Sequence, residues 1–132
     1  MSAPPVLTLL PQPFAICRFA PDAPLPAWVF HSDATYWSLT RTPHELSLVC
    51  PEHDLPPSVD RDVQRGYRAF ALAGPIPFTV TGVIASLAAP LAAAGVPVFV
   101  LSTYDADLLL VPGGSLAGAR AVLAERFEVR AG

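Results

Sequence analysis

The sequence contains no lysine, few charges of either sign and no extended basic segment. Charged side chains make up 14% of the 132 residues, and the eight basic residues, all arginine, are scattered along a chain of formal net charge −3. Soluble domains usually carry roughly 25% charged residues, and nucleic-acid binding requires clustered basic side chains. We therefore expect no nucleic-acid partner, and we expect some apolar surface to be covered in an oligomer. Arginine without lysine, beside many alanines and prolines, is typical of a GC-rich bacterial genome.

Cysteine is also scarce, with only Cys17 and Cys50 present. The N-terminal residues MSAPPVLTLLPQP lack the basic region and the long apolar core of a signal peptide. These features predict a cytoplasmic location, where a disulfide is not expected, so both cysteines are interpreted as small buried residues. The Cys50-x-x-His53 spacing lacks the further ligands of a structural zinc site. The sequence predicts no metal and no cofactor.

Catalytic motifs are missing as well. The sequence has no G-x-S-x-G elbow, no Walker A motif and no G-x-G-x-x-G fingerprint. The three histidines are scattered, and the sequence shows no pairing of a nucleophile with a base and no cluster of metal ligands. We therefore predict that the protein is not an enzyme.

One long segment without charge raises the alternative of a membrane span. Residues 83–101 contain no charged side chain, but Pro90, Gly95 and Pro97 interrupt them. The Gly95-Val96-Pro97 sequence indicates the end of a helix followed by a strand. No membrane partner is therefore expected.

The first half of the chain alternates short β-prone runs with proline-rich loops. Strands are predicted at residues 6–10, 14–19, 36–41 and 46–50, with one helical turn at 27–31 and a hairpin turn or helical turn at 42–45. Residues 51–66 are rich in proline and charge and are interpreted as a linker, which makes this stretch the predicted boundary between two halves.

The second half predicts the element order β-α-β-β-α-β. Its strands are expected at residues 67–73, 98–102, 107–111 and 127–129, with helices at 82–94 and 116–125. Val83, Leu87, Leu91 and Ala94 form the predicted core stripe of the first helix. Gly95 is predicted to take the left-handed conformation that ends this helix.

Several motifs resemble those of a known family, the ACT domains. The motifs are Phe78-Thr79-Val80-Thr81-Gly82-Val83-Ile84-Ala85, Ala89-Pro90-Leu91-Ala92 and Leu101-Ser102-Thr103-Tyr104-Asp105-Ala106-Asp107, with residues 14–19, 38–42 and 45–51 in the first half. They are most similar to small bacterial ACT-domain proteins related to the animal CASTOR arginine sensors. The resemblance covers nearly the whole chain.

The resemblance implies an α+β fold with two ferredoxin-like (βαββαβ) ACT subdomains in tandem. Their sheets are expected to be antiparallel with helices on one face, and the N-terminal subdomain is abbreviated. The implied boundaries are 1–60 and 61–132. ACT domains are regulatory modules that bind small molecules, usually amino acids, at interfaces between domains. The resemblance therefore implies a homodimeric sensor. Because the sequence shows no DNA-binding, kinase or dehydrogenase domain, any output is expected to pass through a separate, unidentified partner.

The candidate site combines a helix start with a hairpin corner. A helix N-terminus presents free backbone N–H groups to a carboxylate, and nearby carboxylates accept an ammonium group, so together they suit a zwitterionic amino acid. The candidate ligand-binding residues are Thr81, Gly82, Val83, Ile84, Ser102, Thr103, Tyr104, Asp105 and Asp107.

A structural interpretation of the same residues stays open. In it, Gly82 serves only the turn into the helix, and the two aspartates only solvate a hairpin. The corresponding second hypothesis for the whole protein is a ligand-free dimerisation or protein-interaction module.

Overall fold

The computed structural model describes residues 6–33, 36–72 and 81–132. These residues form eight strands: β1 Val6–Leu9, β2 Phe14–Phe19, β3 Ser38–Arg41, β4 Leu46–Pro51, β5 Val63–Leu72, β6 Phe99–Ser102, β7 Asp107–Pro112 and β8 Glu128–Ala131. Two α-helices, α1 Val83–Ala93 and α2 Leu116–Ala124, complete the regular structure with three short 3-10 turns at Ala27–His31, Glu52–Asp54 and Gly113–Ser115. The predicted loop at 74–77 and residues 78–80 of the family motif lie outside the described residues.

The fold class is α+β, as predicted, because the strands pair almost entirely antiparallel and are combined with two helices. Contacts divide the chain into two compact units. We call Gln12–Tyr67 the N-terminal unit and Met1–Pro11 with Arg68–Gly132 the C-terminal unit. In the described ranges neither helix combines the length and the apolar character that crossing a membrane requires.

The N-terminal unit contains a sheet in the order β3-β4-β2-β5. Alternating residues of β2 and β4 point to one face, where they bury an apolar cluster of Ala15, Cys17, Val29, Leu48 and Cys50. Val29 comes from the 3-10 turn Ala27–His31, the one helical segment in the described residues between β2 and β3. The abbreviated first helix therefore agrees with the sequence-based expectation.

The predicted linker at residues 51–66 is wrong at its end. Strand β5 already begins at Val63, because Val63 and Gln64 pair with β2. The register shifts between Phe14↔Tyr67 and Ile16↔Gln64, and Gly66 within this irregularity has a φ of 73°. Positive φ carries little cost in glycine, so the strand continues through a bulge where the sequence suggested a loop.

The C-terminal unit has the strand order β6-β7-β5-β1-β8. Strand β1 is antiparallel to β5 and parallel to β8. Strand β1, the first of the chain, thus pairs into the sheet formed by the second half of the sequence. The C-terminal unit therefore includes residues that the predicted division into 1–60 and 61–132 assigned to the first half. The physical reason is a long-range pairing that no local pattern encodes.

Both helices of the C-terminal unit pack on one face of its sheet. Leu87 and Leu91 of α1 and Leu123 of α2 are fully buried against alternate residues of β1, β5 and β7. Ala94, predicted as part of the α1 stripe, is instead exposed. It lies at the C-cap, where the chain already turns away from the helix.

The end of α1 follows the prediction. Gly95 has a φ of 75°, its N–H donates to the Ala92 carbonyl at 3.0 Å, and the Val96 N–H donates to the Leu91 carbonyl at 2.9 Å. These two bonds form a Schellman motif, which satisfies carbonyls that the helix leaves unpaired.

The two units repeat one strand arrangement. In each unit a strand is followed by a helical segment and a hairpin, and the second strand of the hairpin pairs with the first strand. The first strand and the hairpin are β2 and β3–β4 in the N-terminal unit, and β5 and β6–β7 in the C-terminal unit. In the N-terminal unit the strand order is second, third, first, fourth. The C-terminal unit has the same order with β1 inserted before the fourth strand.

Candidate functional site

The predicted helix start lies on the surface of the C-terminal unit. Gly82 is the N-cap residue with a φ of 80°, and Thr81 and Gly82 are exposed. The first intrahelical bond runs from the Ser86 N–H to the Gly82 carbonyl at 2.9 Å. Within the described residues no side chain caps this end. The backbone N–H groups of the first turn are therefore available to an acceptor.

Val83 and Ile84 differ in role. Val83 packs against the apolar cluster of the C-terminal unit, so its side chain anchors the helix. Ile84 is 36% exposed. At this end of the helix, a ligand would therefore contact backbone, Thr81 and Ile84.

The predicted corner is a tight four-residue turn between β6 and β7. Ser102 pairs in register with Asp107, and its Oγ donates to Asp107 Oδ1 at 2.6 Å. The Thr103 N–H donates to the Ala106 carbonyl at 2.9 Å, and Thr103 Oγ1 accepts from the Ala106 N–H at 3.1 Å. The hydroxyls of Ser102 and Thr103 thus hold the turn together.

The remaining corner side chains face solvent. Tyr104 is 78% exposed and Asp105 is exposed, whereas Asp107 is half-buried. Asp107 uses one carboxylate oxygen for Ser102, which leaves its second oxygen as an acceptor. The corner therefore offers a partly fixed carboxylate and an exposed one.

The structure brings the corner residues together, and the helix start and the strand that leads into the corner pack on the same apolar cluster. Val83 packs on the same cluster as Val100 of β6. Among the described residues, no hydrogen bond joins Thr81–Ile84 to Ser102, Thr103 or Asp107. The nine candidate residues thus form two groups in one unit.

The hairpin of the N-terminal unit contains the same turn. The Thr42 N–H donates to the Glu45 carbonyl at 2.8 Å, and Thr42 Oγ1 accepts from the Glu45 N–H at 3.1 Å. Thr42 and Glu45 therefore correspond to Thr103 and Ala106. Because the threonine bonds recur in both hairpins, the Thr103 hydroxyl has a structural role, which narrows the candidate ligand contacts at the corner to the carboxylates and Tyr104.

Sequence reasoning missed a groove of about 520 Å³ in the N-terminal unit. Its polar residues come from three separate segments of the chain, which only the strand pairing brings together. They are Arg18, His44, Ser58, Asp60, Arg61 and Asp62. The available signal was the charge concentrated in residues 51–66, which we interpreted as a linker.

The two cysteines, Cys17 and Cys50, are buried free thiols and form no disulfide with each other. The hydrogen bond with Cys17, followed by burial, raises the pKa of the Cys50 thiol above its usual range, while the same bond lowers the pKa of Cys17. No group of three or more potential metal ligands occurs in the part of the chain that the structure describes.

Family models match both halves of the chain. A model described as an ACT domain matches residues 62–125, and a model described as an N-terminal domain matches residues 12–58. The first match includes the helix start and the corner. No curated protein matches the chain.

Solved structures share the fold over nearly the whole chain. Protein Atu0741 from Agobacterium tumefaciens is 32% identical, with 99% of this chain and 96% of that chain covered and a TM-score of 0.86. The regulatory subunit of aspartate kinase from Thermus thermophilus is 13% identical, with coverage of 89% and 93% and a TM-score of 0.61. The alpha and beta subunits of an aspartokinase are 15% identical, with coverage of 94% and 98% and a TM-score of 0.69. At these low identities the kinase subunits show a common fold only.

Proposed function

We propose that this chain, which belongs to the ACT-domain family, is a non-catalytic regulatory protein. In this proposal it binds a small molecule, an amino acid, at an interface between ACT domains. The observation that carries the proposal is the pairing of an uncapped helix start with carboxylates in one ACT domain. The helix N–H groups suit the ligand carboxylate, and Asp105 or Asp107 suits its ammonium group.

The same proposal includes a homodimer. Strand β6 is an edge strand within the described C-terminal unit, since it pairs with β7 alone there. Its residues Phe99, Val100 and Leu101 are half-buried, uncharged and large. An apolar edge strand with open backbone groups favours pairing with a second chain. A second ACT domain at this edge supplies the interface that the proposed site requires.

We also propose that the chain belongs to the branch related to the CASTOR sensors. The support is the resemblance of the motifs around Gly82 and Ser102. Arginine is not singled out as the ligand, because the helix start continues as uncharged Ile84-Ala85-Ser86 and adds no acidic contact.

A thermal-unfolding screen of the full chain against each of the twenty amino acids tests the proposal. A ligand at one hundred times its Kd stabilises the folded state by about 2.7 kcal/mol, which raises the midpoint by several degrees for a protein of this size. We expect one amino acid, or a chemically related pair, to give a saturable rise. A flat response from all twenty, with fold and dimer intact, would count against ligand binding.

A charge-neutral variant locates the effect. In Asp107→Asn, the amide oxygen still accepts from Ser102, so the turn is kept while the carboxylate charge is lost. We expect the ligand-induced rise in unfolding midpoint to disappear in this variant. It should persist in Glu125→Gln, which neutralises an exposed carboxylate at the C-terminal end of α2. Equal responses in both variants would exclude Asp107 from the site.

The second candidate is a ligand-free dimerisation or protein-interaction module. The observation that favours it is that the corner hydroxyls already form hydrogen bonds within the turn. Ser102 donates to the Asp107 carboxylate, and Thr103 accepts from the Ala106 N–H. Under this alternative, Gly82→Ala and Asp107→Asn change stability or dimerisation, and sedimentation analysis detects that change without any amino-acid dependence.

A further inference from the structure

The groove of the N-terminal unit lies at one end of its sheet. Phe19 at the end of β2 pairs with Leu46 at the start of β4, and Leu46 pairs with Arg41 at the end of β3. The β3–β4 turn therefore lies beside the end of β2. The segment Ser58–Asp62 leads into β5 on the other side, where the Arg18 N–H donates to the Asp62 carbonyl at 3.0 Å. These three segments line the groove.

This position matches that of the corner in the C-terminal unit. In both units the hairpin turn begins with a threonine, Thr42 or Thr103, and follows the second strand of the unit. The strand after the turn, β4 or β7, pairs with the first strand of the unit, β2 or β5. His44 occupies the turn position that Asp105 occupies in the other unit. The groove is therefore the N-terminal counterpart of the location where the sequence predicts ligand binding.

Hydrogen bonds from two arginines fix the walls of the groove. The Arg41 guanidinium donates to the carbonyls of Pro21 and Ala23, the latter at 2.8 Å, which holds the loop after β2. The Arg65 guanidinium donates to the Val59 carbonyl at 3.1 Å, which holds the segment before β5. Both walls are thereby organised before any ligand arrives, and this lowers the entropic cost of binding.

Asp62 is held in a conformation that non-glycine residues rarely adopt. Its φ is 55°, in the left-handed region. Besides the backbone bond from Arg18, its carboxylate lies 3.2 Å from the Arg18 guanidinium. Residues in sparsely populated conformations concentrate at ligand-binding sites. The Arg18–Asp62 pair forms the fixed polar end of the groove.

The other polar groups of the groove are uncommitted. Within residues 6–33, 36–72 and 81–132, the side chains of Ser58, Asp60 and Arg61 form no hydrogen bond or ion pair. Phe19 and Val59 supply apolar surface, and both are anchored because they also pack on the apolar cluster of the N-terminal unit. The groove thus combines a free cation, a free carboxylate and a fixed apolar wall.

We propose that this groove is a second small-molecule site, and that it binds a zwitterion with an apolar portion, of about the size of a dipeptide. Arg61 pairs with the ligand carboxylate, Asp60 with its ammonium group, and Phe19 and Val59 contact its apolar part. The volume of about 520 Å³ lies within the range of roughly 300–1,000 Å³ typical of small-molecule pockets. The site contains no residue of the corner, so it does not depend on amino-acid binding there.

Three probes of equal skeleton test the charge requirement. Glycyl-leucine is a zwitterion, N-acetyl-glycyl-leucine carries only the carboxylate, and glycyl-leucinamide carries only the ammonium group. Amide NMR spectra of the isotope-labelled full chain report where each probe binds. We expect glycyl-leucine to shift the signals of Phe19, His44 and Val59–Asp62 saturably, with an affinity at least about tenfold above that of either singly charged form.

Three results would overturn the proposal. The first is equal binding of the acetylated peptide, which removes the need for an ammonium partner. The second is a set of shifts confined to Thr81–Ile84 and Ser102–Asp107. The third is the absence of saturable shifts at millimolar glycyl-leucine. The second result leaves the proposed function of the C-terminal unit intact, so the two proposals fail separately.

Charge-neutralising variants assign the charges. Arg61→Gln and Asp60→Asn change exposed side chains and are expected to leave the unfolding midpoint unchanged, while each weakens glycyl-leucine binding about tenfold or more. Arg120→Gln, an exposed arginine of α2, is the matched control and is expected to bind as the unmodified chain does. Unchanged affinity in both groove variants would contradict the assignment.

Discussion

The N-terminal and C-terminal units share a strand order and a hairpin turn, yet they differ in helices and in surface chemistry. The N-terminal unit has 3-10 turns where the C-terminal unit has α1 and α2, and it concentrates arginine, aspartate and histidine around its groove. The threonine of the turn is common to both, whereas His44 and Asp105 differ. The comparison separates residues that hold the turn from residues that are free to contact a ligand.

The largest expected effects come from the two apolar clusters. Leu48→Ala in the N-terminal unit and Leu123→Ala in the C-terminal unit each remove a side chain with no exposed surface. Each is expected to lower the free energy of unfolding by about 2–5 kcal/mol in urea titrations, because the cavity cannot close fully. Leu25, which is 50% exposed, is the control, and Leu25→Ala is expected to cost under about 0.5 kcal/mol. A small effect in only one unit would show that its core is loosely packed.

The thiols report on the N-terminal unit alone, since both cysteines lie in its cluster. Thiol reagents attack the thiolate, so the raised pKa of Cys50 and its burial both slow labelling. At mildly alkaline pH we expect labelling of the folded chain to be slower than that of the urea-unfolded chain by at least about a hundredfold. Rapid labelling of Cys50 in the folded chain would indicate that this unit opens easily.

Two glycines of the C-terminal unit are expected to respond with opposite signs to alanine substitution. Gly95→Ala places a Cβ at a φ of 75° and is expected to cost about 1 kcal/mol of stability. Gly118 lies inside α2 with no atom within contact distance of an added Cβ. Gly118→Ala is expected to stabilise by about 0.5–1 kcal/mol. Thermal unfolding of both variants measures the difference, and a stabilising effect of Gly95→Ala would contradict the Schellman assignment.

Effects of a similar, modest size are expected in the repeated turn. Thr42→Ala and Thr103→Ala each remove a hydroxyl that accepts a backbone N–H, and each is expected to cost about 0.5–1.5 kcal/mol. Similar values in urea titrations would confirm the equivalence of the two turns. A loss of amino-acid binding in Thr103→Ala without any loss of stability would instead assign Thr103 to the ligand.

Local patterns predicted much of the C-terminal unit. The four-residue spacing of Val83, Leu87 and Leu91 indicated α1, and Gly95 marked its end, because these signals act within one or two turns of chain. The pairing of β1 with β5 and β8 escaped prediction, since it joins residues far apart in sequence. The bulge at Gly66 was missed because charge and proline around it resemble a loop.

The candidate site was predictable in part for the same reason. The corner forms from adjacent residues, so the contact of Ser102 with Asp107 follows from a tight hairpin. The groove joins Arg18, His44 and Arg61 through strand register, and only the three-dimensional structure reveals that they meet.

Amide NMR spectra of the full chain, titrated with each amino acid, test the central claim most directly. Ligand binding by the ACT domain predicts saturable shifts at Gly82, Val83 and Ile84 together with Ser102–Asp107 for the stabilising amino acid, and the loss of those shifts in Asp107→Asn. If no amino acid produces saturable shifts at these positions in a folded, dimeric chain, the account of the protein as an amino-acid-binding regulator is contradicted.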